Sequence, residues 1–551
     1  MSDTIFRFRP KLFEDLRGYT REDFAADAAS GVTVALVALP LAMAFGIASG
    51  VGPDQGLITA IVGGFIVSLL GGSRVQIAGP AGAFVAMLYA IVEKYGVANL
   101  LIATMMAGAI LFAMGAFRLG SLVRFIPISI VIGFTTGIAA IIALSQVKDL
   151  LGLTIGKMPS NFFSQIGALG SALHTLNWMA PVVGFSCLLV ILVWPTHEAA
   201  KPGNWRYLTA KLPATIVVLV ASALAVWAFD VRVETIGSRF GGLPRGLPAP
   251  ALPAFDWATA QNLAGPAISI ALLGAIESLL CARVADGLIG DRHDPNQELM
   301  AQGAANFAAP LFGGIAVTGT IARTMTNVKS GGRTPVAGLV HAAVLLMVVL
   351  VLAPFASHVP LAALAAVLLW VAYNMVPWRE LASLKRFSLF YRAILLSTLT
   401  LTVVFDLTVA VEVGLVLSTL FYIYRISSLT RVDPVELGPE ALGAGGRTVG
   451  AWRVFGSIFF GSVTKLENLL DPGRPPPDIV ILEMHKVINV DTTGLDALEA
   501  LHAALQRRGG RLVLADLNEQ PRSLLARSGF LDALGRENVF GSLQAAVAST
   551  R

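Results

Sequence analysis

The chain has 551 residues, of which 55% are hydrophobic and only 14% are charged. Its mean hydropathy is +0.72. Because soluble domains carry about 25% charged residues, this composition excludes a soluble enzyme and indicates a polytopic α-helical membrane protein. The net charge of +5 is modest and lies mainly in tails and loops, which argues against nucleic-acid binding. Cys187 and Cys281 lie in apolar segments, so neither a disulfide framework nor a metal site is expected.

Residues 1–28 form a polar arm at the N-terminus. The basic residues of this arm are Arg7, Arg9, Lys11, Arg17 and Arg21. In a cleaved signal peptide an apolar run would follow the first basic residues at once. We therefore expect a cytoplasmic arm.

The first half of the chain contains a series of apolar segments long enough to cross a bilayer, which takes about 20 residues. They are 29–50, 55–72, 97–117, 122–147, 177–195 and 212–230. A shorter segment, 79–94, begins with Gly79-Pro80-Ala81-Gly82. Since proline is tolerated in the first turn of a helix, a half-helix is predicted to begin near Pro80, inside the membrane. Residues 159–175 are amphipathic and are predicted to lie along the interface.

The second half repeats this pattern. Its segments are 262–287, 297–313, 319–330, 335–354, 359–377, 388–405 and 407–427. Each half thus has seven segments, of which the third is short and glycine-interrupted. Matching broken segments are typical of inverted-repeat transporters, although chance spacing in a glycine-rich protein is the alternative. We predict a transport domain at 29–430, with repeats at about 29–230 and 262–430.

Basic residues in two loops predict the orientation in the membrane. They are Lys201, Arg206 and Lys211 after the sixth segment, and Arg379, Lys385, Arg386 and Arg392 after the twelfth. Both loops are expected in the cytoplasm. Fourteen segments then place both termini on the cytoplasmic side of the inner membrane.

The composition changes after residue 430. Residues 431–447 are polar and glycine-rich and are predicted to be a linker, whereas 448–551 alternate strand-like and helix-like patterns. This alternation predicts a soluble, cytoplasmic α/β domain with a partly parallel sheet. Asp491 is expected to cap the helix that follows it. A phosphate on Thr493, near the same helix N-terminus, is the alternative.

Glu277 lies in the middle of an apolar segment. A carboxylate at bilayer depth costs roughly 2.5–3.5 kcal/mol, so its presence suggests a titratable group that carries a proton with the substrate. An ion pair with Arg283 or Arg323 is the alternative, as is a position nearer the cytoplasmic end.

Arg323 lies at the predicted start of the second half-helix, directly after Thr318, Gly319 and Thr320. There it would add a fixed charge to the positive end of the helix dipole and bind an oxyanion bidentately. The threonine hydroxyls could donate to the same anion. A snorkelling arginine and the packing of small residues are the alternatives.

The first half offers matching candidates. Ala81 and Gly82, with Ala78 and Gly79, would present backbone N–H groups to an anion, and Phe45 is a weaker candidate. Glu412 is a possible second proton site.

Other polar residues have structural interpretations. Asp406 is interpreted as a helix cap, and His293, Asp294 and Glu298 as a solvated loop rather than a metal site. The chain has no phosphate-binding glycine–lysine loop and no nucleophile–base constellation. We therefore expect no ATP-driven pump, enzyme or cofactor.

Taken together, these residues resemble the sulfate permease family of anion transporters. The resemblance rests on the following stretches: 31–46 with Ala38-Leu39-Pro40, 76–82, 313–333 with Ala322-Arg323-Thr324, and 406–414. Residues 490–495 resemble the signature of a STAS domain. The resemblance implies a core of segments 1–4 and 8–11 that moves like an elevator against a gate of segments 5–7 and 12–14. It also implies a homodimer, and a STAS domain that binds a regulatory protein.

The resemblance assigns the anion site to five positions, which are Phe45, Ala81, Gly319, Thr320 and Arg323. Sodium-dependent bicarbonate members of the family carry an aspartate at the position of Glu277 and hydroxyls at those of Cys281 and Ile321. Since sodium prefers hard oxygen ligands, the glutamate is more similar to that of proton-coupled bacterial members.

The leading hypothesis is proton-coupled symport of a C4-dicarboxylate or sulfate. Sodium-coupled bicarbonate symport and chloride/bicarbonate exchange are the alternatives within the same class. A channel or voltage-responsive motor, a nucleobase permease and a purely sensory protein are alternatives of other classes.

Overall fold

The computed structural model describes residues 8–121, 127–156, 158–159, 161–194, 213–242, 246–405, 407–437, 447–470 and 477–550. The chain divides into two compact units, Met1–Leu415 and Val416–Arg551. The predicted loop with Lys201, Arg206 and Lys211 lies outside the described residues, as do Asp406 and the side chain of Glu412.

The helices of the first half follow the predicted segments closely. In chain order the elements are α1 (Lys11–Asp15), α2 (Arg21–Ala48), α3 (Pro53–Leu70, π-helical at Thr59–Gly63), β1 (Ala78–Gly79), α4 (Gly82–Tyr95), α5 (Val97–Ala116), α6 (Ile128–Leu151), α7 (Phe162–Thr175), α8 (Met179–Val193), α9 (Ala214–Phe229) and α10 (Ile236–Phe240).

The second half has the same succession of elements. They are α11 (Trp257–Ile289), α12 (Pro295–Ala308), β2 (Thr318–Gly319), α13 (Ile321–Lys329), α14 (Val336–Ala356), α15 (Leu361–Met375), α16 (Trp378–Ala382), α17 (Leu389–Val404) and α18 (Leu407–Leu429). All fourteen predicted segments therefore contain a helix among the described residues.

Five helices, α2, α3, α5, α6 and α11, are long and apolar enough to cross a membrane. The bent pair α7 and α8, at 118°, raises this number to six if it forms one span. The other apolar helices have fully described stretches of 10–17 residues. Helix α2 begins at Arg21 and not at residue 29, because Thr20 and Asp23 form a capping box. The predicted arm 1–28 therefore includes the first turns of α2.

The helices of the first unit pack in two groups. Helix α5 packs on α11 and α12, and α2 packs on α14, whereas α6 packs on α15 and α17, and α8 on α15. The first group comes from segments 1–4 and 8–11, and the second from segments 5–7 and 12–14. This division matches the predicted core and gate. Within the core, Gly108 and Gly303 allow α5 and α12 to touch, since a Cβ at Gly108 would lie 2.7 Å from the Gly303 oxygen.

The two broken segments meet through their strands. Strand β1 pairs antiparallel with β2, with Ala78 opposite Gly319 and Gly79 opposite Thr318. Helix α4 begins three residues after β1, and α13 begins two residues after β2. The N-termini of both half-helices therefore converge on the strand pair.

The second unit contains a five-stranded sheet with helices packed on it. Its elements are β3 (Arg431–Val435), β4 (Val449–Ile458), α19 (Thr464–Glu467), β5 (Ile479–Val490), α20 (Thr492–Gln506), β6 (Arg511–Ala515), α21 (Glu519–Arg527), α22 (Phe530–Leu534), β7 (Val539–Phe540) and α23 (Leu543–Ala548). The strand order is β3-β4-β5-β6-β7, and only the β3–β4 pair is antiparallel.

The edge strand β3 and the N-terminus of α20 each test a prediction for the second unit. The expected linker 431–447 is wrong at its start, because residues 431–435 form the edge strand β3. Val432 packs on one apolar cluster of the sheet and Val435 on the other, which stabilises the strand. The capping interpretation of Asp491 is confirmed, since its Oδ1 accepts from Gly494 N at 2.8 Å.

Candidate anion site between two half-helices

Hydrogen bonds that Ile77 makes with Thr320 and Thr324 join the residues next to the two strands. The amide N and Oγ1 of Thr320 both donate to the Ile77 carbonyl at 3.0 Å, and Thr324 Oγ1 accepts from Ile77 N at 3.0 Å. Thr318 is fully buried and its hydroxyl donates to the Gly274 carbonyl at 3.1 Å. The hydroxyls of Thr318 and Thr320, which were expected to donate to an anion, therefore donate to backbone carbonyls and position the strands.

Glycines at two strand positions make room for neighbouring side chains. A Cβ atom at Gly319 would lie 1.7 Å from Nε2 of Gln76, and one at Gly79 would lie 2.1 Å from Nη1 of Arg323. Real Cβ atoms do not approach other atoms so closely. The glycines predicted for close approach are thus needed for the fit of Gln76 and Arg323.

Arg323 is buried at the start of α13, with 1% of its surface exposed. Its Nη2 donates to the Pro80 carbonyl at 3.3 Å, and its Nη1 has no hydrogen-bond partner among the described residues. A snorkelling arginine would keep its guanidinium in water, and that alternative does not fit this degree of burial. An unpaired donor in such a position is costly and is available to an anion.

Neither half-helix has a side-chain cap at its N-terminus. The first half-helix starts at Gly82 and not at Pro80, after Ala81 in extended conformation, and Thr320 precedes the second. Uncapped first turns leave N–H groups free and place the positive end of each helix dipole there. The two helix ends and the Arg323 guanidinium together form an electropositive site suited to an oxyanion.

Phe45 lies against the start of α4. A Cβ atom at Gly82 would lie 3.3 Å from Cε1 of Phe45 and 3.1 Å from Sδ of Met375, and Phe45 is only 6% exposed. Because Met375 ends α15 of the gate group, a core residue and a gate residue meet over the first turn of α4.

Glu277 lies on the face of α11 that contacts the strands. Gly274, one turn before it, accepts from Thr318, and Cys281, one turn after it, donates from Sγ to Thr324 Oγ1 at 3.2 Å. Residues three and four apart share a helix face. The side chain is 8% exposed, and within the described residues it makes no ion pair with Arg283 or Arg323 and no hydrogen bond.

Glu298 was expected in a solvated loop, and this prediction is wrong. It lies in α12 and is 1% exposed. Its Oε1 accepts from Ser278 Oγ at 3.2 Å and Gln302 Nε2 at 2.9 Å, and its Oε2 accepts from Gly72 N at 3.0 Å. Since Gln76 Nε2 donates to Ser278 Oγ at 2.8 Å, hydrogen bonds connect Glu298 with the strand segment of the first half.

Sequence reasoning also missed two asparagines that bracket the strands. Asn306 accepts from Val317 N at 2.9 Å and donates to Val317 O at 2.8 Å. Asn327 donates to Val75 O at 2.8 Å. One signal was available, because Glu298, Gln302 and Asn306 repeat every four residues and so form a polar stripe along one face of α12.

The neighbouring loop residues have structural partners. His293 Nδ1 lies 2.7 Å from Asp286 Oδ2, and Asp294 caps α12 by accepting from Asn296 N and Gln297 N.

In the second unit, Glu483, His485 and Asp516 place their ligand atoms within 4.8 Å of one another. Glu483 is already paired with Arg453 at 2.5 Å and with His485 at 2.8 Å. Because Arg453 already neutralises its carboxylate, this group is better described as an ion-pair cluster.

Two cavities flank Glu277 along α11. The larger, about 1120 Å³, is lined on this helix by residues between Gly265 and Ile276. The smaller, about 380 Å³, is lined by residues between Ile276 and Asp286. Ile276 lines both cavities, so Glu277 directly follows the position of α11 that the two cavities share.

Comparison with known proteins identifies the family. Residues 24–398 match the sulfate permease family and residues 447–546 match the STAS domain. The putative sulfate transporter YvdB of Bacillus subtilis is 41% identical over 525 residues, which cover 95% of this chain and 97% of YvdB. The bicarbonate transporter BicA of Picosynechococcus is 32% identical over 428 residues, which cover 76% of this chain and 72% of BicA.

Solved structures agree with this match. The transmembrane domain of a cyanobacterial bicarbonate transporter BicA superposes with a TM-score of 0.64 and 31% identity, covering 72% of this chain and 98% of that domain. Murine Slc26a9, an anion transporter in an inward-facing state, gives a TM-score of 0.86 with 98% and 94% covered, and at 18% identity it supports the fold alone. The chain therefore belongs to the sulfate permease family and combines its membrane domain with a C-terminal STAS domain.

Proposed function

We propose that this protein is a secondary active transporter that binds a small oxyanion between its two half-helices. The observation that carries the proposal is Arg323, which is buried beside two uncapped helix N-termini with Nη1 unpaired. The names of its relatives, a putative sulfate transporter and a bicarbonate transporter, support an oxyanion as the substrate class.

The charge of the site favours a dianion. Each helix N-terminus contributes about +0.5 elementary charge, so that two of them and one guanidinium sum to about +2. Sulfate or a C4-dicarboxylate would neutralise this charge, whereas bicarbonate would leave about half of it. We therefore place sulfate and C4-dicarboxylates before bicarbonate.

Glu277 is proposed as the proton-coupling group. It is buried, without a hydrogen-bond partner among the described residues, and directly follows Ile276, which lines both cavities. Glu298 is a less suitable candidate, because a proton on its carboxylate would weaken three hydrogen bonds. Sodium coupling is the alternative, but Cys281 and Ile321 offer no hard oxygen ligand beside Glu277.

We propose an elevator motion of the core against the gate, since helices from the corresponding segments pack into two groups. The homodimer, the inner membrane, the cytoplasmic termini and a regulatory partner of the STAS domain belong to the same proposal. The basic residues Arg379, Lys385 and Arg386 after α15 support the orientation.

The test is reconstitution of the full chain in liposomes with labelled sulfate, succinate, fumarate and bicarbonate. Uptake is measured under an inward proton gradient and then under an inward sodium gradient. We expect proton-driven accumulation of a dianion. Accumulation of bicarbonate driven by sodium alone would support the alternative and would refute the proton-coupled proposal.

Two matched variants test the coupling residue. Glu277→Gln should abolish proton-driven accumulation while counterflow of labelled substrate remains. Glu298→Gln changes a second buried carboxylate on a facing helix, and its folded fraction should still accumulate substrate. If both variants lose accumulation equally, the specific role of Glu277 is wrong.

A further inference from the structure

The larger cavity has a charged wall, and neither Arg323 nor Glu277 is among the residues that line it. Its charged lining residues are Glu93, Lys94, Lys148, Asp149 and Arg239. The cavity is lined by the core helices α2, α4 and α11 and by the gate helix α6, so its wall belongs to both the core and the gate. Among the described lining residues, three cations and two carboxylates give a net positive charge.

Among the described residues of this wall, Lys148 has no ion-pair partner closer than 4.0 Å. Arg239 Nη1 lies 2.7 Å from Asp149 Oδ1, whereas Lys148 Nζ lies 4.0 Å from the same oxygen. Within the described residues the Lys148 ammonium makes no hydrogen bond, although Lys148 is only 8% exposed. Its side chain lines the cavity, and an anion there would accept the hydrogen bonds that the protein itself does not.

Helix stability alone does not explain this arrangement. Lys148 is in the last turn of α6, where a positive charge favours the helix dipole. However, a lysine with that role alone can extend its ammonium into water. Here Lys148 lines a cavity together with Gln146, which is 6% exposed. Gln146 Nε2 donates one hydrogen bond, to Ser145 Oγ, and its second N–H remains a donor for an anion.

We propose that Lys148 forms an anion subsite in the wall of the larger cavity, which holds a small oxyanion before it reaches Arg323. This inference rests on the proposed transport function and adds a second binding position to it. The subsite would raise the local concentration of the anion at one face of the membrane. It would have little effect on the opposite face.

The experiment uses the full chain in phosphatidylcholine vesicles of sorted orientation, with labelled sulfate presented to either face. Lys148→Gln should raise KM at one face by about tenfold, because it removes one charge-assisted hydrogen bond to the anion. The maximal rate and the KM at the other face should stay within about twofold of the wild type. Lys148→Arg keeps the charge and should restore most of the lost affinity.

Lys385→Gln is the matched control, because Lys385 is an exposed lysine that lines neither cavity. It should leave KM nearly unchanged. An equal rise of KM at both faces, an unchanged KM, or failure of Lys148→Arg to rescue would overturn the proposal.

A lipid phosphate could supply the same oxyanion chemistry, so the experiment is repeated with phosphatidylglycerol in the vesicles. An effect of Lys148→Gln in pure phosphatidylcholine assigns the subsite to the free anion. An effect that appears only with the anionic lipid overturns this assignment in favour of a headgroup.

Equilibrium binding of labelled sulfate to the purified chain separates the two proposals. If wild type binds sulfate with a Lys148-dependent affinity but moves none of the anions, the transport proposal has failed and the subsite remains. If the wild type transports sulfate, and Lys148→Gln has the same sulfate affinity and the same KM as the wild type, only the subsite proposal has failed.

Discussion

The space that Gly79 leaves beside the strand pair is occupied by the guanidinium of Arg323. A Cβ atom at Gly79 would lie 2.1 Å from Nη1 of Arg323 and 3.2 Å from its Cζ. The two residues come from opposite halves of the chain. The missing side chain at Gly79, in the first repeat, therefore determines where the guanidinium of Arg323, in the second repeat, lies.

We predict that Gly79→Ala displaces Arg323 and weakens substrate binding. A shift of the guanidinium by about 1 Å costs part of a charge-assisted hydrogen bond, and roughly tenfold or more in KM is expected. Gly287→Ala is the control, because Gly287 lies in α11, lines neither cavity, and has no atom within 4 Å of an added Cβ. Initial uptake rates over a range of sulfate concentrations measure both variants. Equal KM values for the two variants would contradict the prediction.

The buried carboxylate of Glu298 should contribute to stability. The Glu298 carboxylate accepts three hydrogen bonds. In Glu298→Gln the amide NH₂ replaces one acceptor oxygen and faces one of these donors, and the lost hydrogen bond lowers the free energy of unfolding by about 1–3 kcal/mol. We expect a lower midpoint of thermal unfolding in detergent. The unfolding is measured with a dye that fluoresces when it reacts with newly exposed thiols. Glu22→Gln, an exposed substitution in the first turn of α2, should leave the midpoint nearly unchanged. Identical midpoints would show that the network is not stabilising.

The position of β3 predicts how the STAS domain can be removed. Truncation before residue 438 leaves Arg431–Val435 without its partner strand β4, and an unpaired strand promotes aggregation. Truncation after Thr430 removes the strand as well. We expect the shorter protein to give a sharper size-exclusion peak, with a smaller aggregate fraction. Both truncations remove Lys465, which donates to the carbonyl oxygens of Ser427 and Thr430 at the end of α18, so this loss cannot explain a difference.

The second unit should show a pH dependence at Asp478. Hydrogen bonds from the backbone N and Oγ1 of Thr448, at 2.8 and 2.9 Å, lower the pKa of this carboxyl below its ordinary value. A lowered pKa stabilises the fold above the unfolded value of about 3.9, and this contribution is lost as the pH falls through the folded value.

Asp478→Asn should therefore speed hydrogen exchange at the start of β5 at pH 7. The difference in exchange between this variant and the wild type should shrink below about pH 4. Hydrogen–deuterium exchange of peptides covering β4 and β5, compared at each pH, measures this. Asp496→Asn, an exposed position of α20, is the control. A difference that grows towards low pH would have the wrong sign for this mechanism.

Much of the fold could be predicted from local signals. Apolar runs predicted the fourteen segments, and Gly79-Pro80-Ala81-Gly82 predicted a half-helix to within two residues of its start at Gly82. Boundaries that depend on capping were less accurate, as at Arg21, where the Thr20–Asp23 box extends α2 into a polar arm. The linker prediction failed at Arg431–Val435, because a short strand is stabilised by distant partners and not by its own composition.

The sequence by itself determined the membrane domain, the two broken segments, the soluble α/β domain and the types of residue that a charged anion site needs. A carboxylate, an arginine and glycines in apolar surroundings are costly unless they have a role, so that they can be recognised without coordinates. Only the tertiary structure decided which of them have partners. It placed the Thr318 and Thr320 hydroxyls on carbonyls, gave Glu298 three donors, and left Arg323 Nη1, Glu277 and Lys148 without hydrogen bonds among the described residues. Hydrogen bonding depends on atoms brought together from opposite halves of the chain, and no local pattern contains that information.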